Sequence, residues 1–165
     1  MISQLETGLK DDTVGIQVEI ETVESNRAIT LPDLPDANIY GRGAPLNPAT
    51  VNVPALTVSP SDSAAGQTRS EGIRDATHRV TFEWATDQPD ENEWRREALH
   101  MGEALTRWLH NLHAGNSGYV GSSRILLVDG WTADYTVTWQ TTPNAIRGFI
   151  LDATIEARDR RDAFF

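Results

Sequence analysis

The chain has 165 residues, 39% of them apolar, which is enough for one sheet and a covering helix to bury a core and too little for two independent domains. Twenty-four acidic against fourteen basic side chains give a formal charge of −10, which argues against a protein that wraps nucleic acid or docks on anionic lipid, because both need clustered positive charge. With no cysteine, disulfides, thiolate nucleophiles and cysteine zinc sites are excluded.

Met1-Ile2-Ser3-Gln4-Leu5-Glu6 has neither a basic start nor an apolar run, and no segment approaches the roughly 18 apolar residues of a membrane span, so the expectation is synthesis in the cytoplasm and no membrane partner. Ile2 to Lys10 places Ile2, Leu5 and Leu9 on one side of a short helix. From Thr13 to Val23, Val14, Ile16, Val18 and Ile20 alternate with Gly15, Gln17, Glu19 and Glu21, which predicts a strand with one wet, acidic face. Residues 24–50 carry Pro32, Pro35, Pro45 and Pro48 with Gly41 and Gly43, the composition of a long loop; its length points to a working surface or to a short element within it. Val51 to Val58 is expected as a strand, with Pro54 favouring an edge or a bulge, and residues 59–77 as a surface loop of small polar side chains.

His78 to Ala85 sets Val80, Phe82 and Trp84 against Arg79, Thr81 and Glu83, a half-buried strand. Past Pro89, Asp90 is placed to cap a helix while Glu93 reaches back to its amide. That helix, Glu91 to about His113, has one apolar stripe of Trp94, Ala98, Met101, Leu105, Trp108, Leu109 and Leu112, with Gly115 as its stop. Arg124 to Val128, an Asp129-Gly130 turn and Trp131 to Gln140 read as a hairpin, followed by a strand from Ile146 to Arg158. The sum is a single domain, residues 1–165, of the α+β class: an antiparallel or mixed sheet of five to six strands with one long amphipathic helix on one face.

No residue set points to catalysis. His110 and His113, three apart on the helix with His100 before them, lack marked further ligands for a metal, so exposed histidines at a helix end are the simpler reading. Glu19 with Glu21, or Asp11 with Asp12, sit side by side and do not face each other across a cleft as paired acid and base must. Gly115, Gly118 and Gly121 have no strand leading into them and so no phosphate-cradling geometry. No catalytic residue, cofactor or metal is therefore expected. Of five tryptophans, Trp84, Trp94 and Trp108 fall on core faces, whereas Trp131 beside a turn is the candidate for contact with a partner. Phe164 and Phe165 follow a charged, unpatterned run in the terminal extension 159–165, and two phenyl groups left in water are a liability that burial against a neighbouring subunit removes.

In the order of its elements the chain resembles the tail terminator, or tail-completion, proteins of long-tailed, siphovirus-like phages. The resemblance is carried by Val51-Asn52-Val53-Pro54-Ala55-Leu56-Thr57-Val58, by His78-Arg79-Val80-Thr81-Phe82-Glu83-Trp84 leading through a Pro-Asp turn into the long helix, and by Gly148-Phe149-Ile150-Leu151-Asp152-Ala153-Thr154-Ile155-Glu156. It covers Val51 to Arg158; the Pro-rich segment 24–50 and the charged tail depart from the pattern. The resemblance implies a structural virion subunit forming a homohexameric ring on the last ring of tail-tube protein and offering a surface to the head connector or stopper protein. DNA would cross an acidic lumen, to which Glu19 and Glu21 are assigned, without being bound. Another virion part, a tail-tube or head-closure subunit, is the alternative, with a non-viral binding module or an enzyme behind it.

Overall fold

The structure, a computed structural model, describes residues 1–64, 68–69, 73–113, 119–120 and 123–160, with side chains through 1–61, 76–112 and 130–157. β4 (Ile73–Thr86) and β7 (Ile146–Arg160) form the middle of a sheet, antiparallel from Ile73↔Arg160 to Thr86↔Arg147. β2 (Ala55–Ala64) lies outside β4 and carries β1 (Ile39–Gly41) as a parallel partner, and β6 (Ser123–Gln140) lies outside β7. The pieces β3 (Thr68–Arg69) and β5 (Tyr119–Val120) pair with β4 and β6. The order is β1-β2-β4-β7-β6-β5, a mixed sheet in an α+β domain, as the sequence pattern predicts.

Packing follows from parity. Val80, Phe82 and Trp84 of β4 and Phe149, Leu151, Ala153, Ile155 and Ala157 of β7 share one face and are buried there. Against them lies α3 (Glu91–His113), whose expected stripe is buried from Trp94 to Leu112. Trp84 stacks on Phe149 at 5.8 Å, and Phe82 meets Trp108 edge to face at 6.2 Å. Such pairs add roughly 0.5–1.5 kcal/mol each beyond the area they remove from water. The Asp90 carboxylate caps α3, accepting from Asn92 N and Glu93 N at 2.9 Å each. Glu93 does not complete the box; its side chain accepts from Arg96 at 2.6 Å.

The expected first strand is a helix. α1 (Ile2–Leu9) is present as its pattern indicates, but the alternating segment Thr13 to Val23 forms most of α2 (Ile16–Arg27). Ile16, Ile20 and Val23 also satisfy helical spacing, and they bury with Leu5 and Leu9 in the core that α3 shares. The Asp11 carboxylate holds the intervening turn by accepting from Thr13 N and Val14 N, which leaves Val14 in solvent. β1 is the short element within the Pro-rich segment. In the expected loop 59–77, β2 runs on to Ala64 and β4 begins at Ile73, because main-chain pairing between them continues through side chains too small and polar to show a strand pattern.

Asp129-Gly130 does not turn the chain back. Residues 123–140 are one strand, and Gly130, at φ +76°, sits in a bulge where three steps on β6 from Val128 to Trp131 match two on β7 from Ile155 to Ala153. The same positive angle serves a tight hairpin or a glycine bulge, and the continuous partner β7 selects the bulge. Further irregularities fall between Ile125 and Leu127, Asp134 and Val137, and Thr138 and Gln140. They change parity along the strand, so Tyr135 joins the core under α3 while Trp139 packs on the opposite face.

Tyr135 fits there because α3 has Gly102 at the crossing, where an added Cβ would overlap the phenol ring. Alanine is worth about 1 kcal/mol more than glycine in a helix. Overpacking a buried site costs about 1–3 kcal/mol, so Gly102→Ala should lower the urea midpoint, and adding Tyr135→Leu should restore it. A Gly102→Ala protein more stable than wild type would show that α3 and β6 do not meet this closely.

Candidate assembly surface

The face of the sheet away from α3 is built by the other parity: Arg79, Thr81 and Glu83 on β4, with Ile150, Asp152, Thr154 and Glu156 on β7. Residues 42–54 fold over one end of it, where Leu46, Val51 and Val53 pack with Ala85, Ile146 and Trp139. An Arg42 bond to the Thr50 carbonyl, 2.8 Å, draws that segment together. Under it Glu83 is 2% exposed and accepts from Leu46 N at 2.5 Å, from Thr57 Oγ1 at 3.3 Å and from the Trp139 side chain. Burial, resisted by these donors, pushes the carboxyl above its ordinary value. The uncovered end is polar: Thr81 Oγ1 donates to Asp152 at 2.5 Å, and Asp152 and Glu156 reach solvent.

At the margin of that open end stands Trp131, 40% exposed on the outer strand β6. Hollows flank it on both faces of the sheet. One of about 560 Å³ on the open face is walled by Arg79, Thr132, Asp152 and Thr154, and one of about 300 Å³ on the helical face by Arg107, His110 and Asn111. From Trp131 to Gln140, β6 pairs with β7 on one side and, among the described residues, with no strand on the other. At the opposite margin β1 pairs with β2 only from Leu56 to Val58, leaving Ser59–Ala64 without an outer strand among the described residues. Pro60 suits that position because an edge spares it the missing ladder donor.

Trp131 is therefore exposed at a margin, while Phe164 and Phe165 lie outside the described residues. Glu19 and Glu21, expected on one wet strand face, are separated by the helical turn. Glu19 is 7% exposed and accepts from Arg107 Nε at 2.8 Å and from Asn111, which ties α2 to α3; Glu21 is exposed. His100 lies 3.4 Å from Glu103 and His110 is exposed, while the His113 side chain and Gly115, Gly118 and Gly121 fall outside the described parts. Among the described residues no group of three His, Asp or Glu is placed to hold a metal, and no helix is long and apolar enough to cross a membrane. Asp152, Glu83 and the free edge of β6 carried no signal as sites; only parity after the bulges reveals which way their neighbours point.

No protein-family model and no curated protein matches the chain. Among solved structures, a chain of the virion of a native gene transfer agent particle aligns with 88% of this chain and 91% of its own, at 12% identity and a TM-score of 0.40. A likeness at that level decides neither topology nor role.

Because the Glu83 carboxyl is raised from its ordinary 4.5, proton uptake favours the folded chain. The contribution is complete below the unfolded value and is lost as pH rises through the elevated folded one. Glu83→Gln removes the charge at every pH, so its melting temperature should gain on wild type as pH rises from about 4. A difference that stays constant over that range would mean Glu83 titrates normally.

Proposed function

We propose that this chain is a structural subunit of a phage-like virion, a tail terminator that joins copies of itself head to tail into a ring capping the tail tube. The observation that carries the proposal is the pair of unlike margins on one sheet, neither with an outer strand among the described residues. The β6 margin, Trp131–Gln140, is long and rich in aromatic and β-branched residues; the β2 margin, Ser59–Ala64, is short, small and polar. Unpaired strand edges are templates for another strand, and joining two different edges makes a heterologous contact, which closes into a ring when the rotation per copy allows. Closure at six comes from the resemblance, as do the tail-tube protein on one side of the ring and the connector or stopper protein on the other.

The charge of −10 suits a ring that DNA crosses, because like charge suppresses backbone contacts. Glu156, exposed on the open face, is better placed for a lumen bounded by that face than Glu19, which is engaged with Arg107, or Glu21, which lies on the helical side. Assembly in the host cytoplasm and residence in the virion follow from the same proposal, and no step in it calls for catalysis, a cofactor or a membrane.

Placing charge on the β6 margin tests it. Thr136→Lys with Thr138→Lys should leave a folded monomer by circular dichroism and sedimentation, while wild type gives six-fold rings in negative stain. Rings of unchanged size from the double variant would remove the margin from the interface, and long tubes from wild type would favour the tail-tube alternative.

A further inference from the structure

We infer that the β6 margin at Trp131 is the seat for residues 161–165 of a second copy, with Phe164 and Phe165 placing their rings on opposite sides of Trp131. The inference deepens the ring proposal by adding a segment that one copy gives to the next at the Trp131 end of the β6 margin, the stretch towards Gln140 being left for the β2 margin, and it shares with that proposal the need for a second copy.

The geometry around Trp131 selects a particular kind of occupant. The two hollows lie on opposite faces of the sheet and meet at one exposed indole. Consecutive side chains of an extended segment point to opposite faces, so a segment added alongside β6 delivers one side chain to each hollow. Two adjacent large apolar residues fit that demand, and Phe164-Phe165 is the one pair of adjacent aromatic residues in the chain. Along Trp131–Gln140 β6 has no outer strand among the described residues, so the backbone of an added segment can pair there.

Reach requires that segment to come from a different copy. Trp131 is level with Ala153, seven residues back along β7 from Arg160, or about 23 Å at 3.3 Å per residue. β7 runs away from the level of Trp131 as far as Arg160, so a return would need a reversal as well as the full distance, and five residues span at most about 18 Å fully extended. Phe164 and Phe165 therefore cannot fill the hollows of their own subunit.

The test uses the full-length chain carrying Phe164→Ala and Phe165→Ala, titrated with a labelled peptide of residues 158–165 and followed by fluorescence anisotropy. Saturable binding is expected, weakened about tenfold or more by Trp131→Ala in the protein, by Thr132→Arg, which fills the larger hollow, or by replacing both phenylalanines in the peptide. Absence of binding overturns the inference, as does equal affinity across these variants. Images of the same proteins keep the two proposals apart: rings formed without peptide binding overturn the seat and leave the ring standing. Peptide binding with wild-type oligomers that are not rings supports the seat and removes the ring, whereas peptide binding by a wild type that stays monomeric overturns both.

Discussion

When α3 lays Trp94, Met101, Leu105 and Trp108 against Phe82, Trp84, Phe149 and Leu151, it decides which face of the sheet is interior, and every other element must accommodate that choice. Burying a large apolar side chain contributes about 1.5–3 kcal/mol, so this contact outweighs any surface ion pair in the molecule. Arg27 with Glu103 at 3.0 Å illustrates the contrast: half exposed, it orients α2 on α3 without carrying much stability. α1 and α2 then complete the covered side, since Leu5, Leu9, Ile16, Ile20 and Val23 find apolar neighbours only there.

With all three helices on one side, the other face is left to short-range solutions. Residues 42–54 cover one end with Leu46, Val51 and Val53 and thereby enclose Glu83, whose carboxylate gives the Leu46 amide an acceptor that water can no longer supply. The remaining end stays polar and open, with Thr81 and Asp152 satisfying each other. The same segregation leaves both margins of the sheet without a covering strand among the described residues, so the surface proposed for assembly is what remains after the core has been satisfied.

β4 from His78, α3 and β7 were legible in the sequence because their side chains are large and their period is unbroken, whereas the bulges of β6 hid a single strand behind a hairpin signal. Val80, Phe82 and Trp84, and the stripe from Trp94 to Leu112, fit one template each. The first half was not. Val14, Ile16, Val18 and Ile20 match a strand by alternation, yet Ile16, Ile20 and Val23 match a helix equally well, and only packing against Leu5, Leu9 and α3 decides. Ser59 to Ala64 was invisible as a strand because its pairing is made by the main chain, to which small polar side chains give no signature. Of the site, Trp131 was readable from its place beside Gly130. Asp152, Glu83 and the division of Tyr135 from Trp139 were not, since each depends on how many extra residues β6 inserts.

Those insertions bear on a hazard that any free strand edge brings. A flat, regular edge accepts almost any extended chain in almost any alignment, which is how sheets grow into aggregates. β6 is irregular in four places along its length, twice within Trp131–Gln140, so its outward amides and carbonyls are unevenly spaced and its twist is locally increased. A strand sliding past it by one residue finds the spacing wrong at the next bulge. The margin is thereby keyed: exposed enough to take a partner, yet uneven enough that a partner of the wrong alignment gains few bonds.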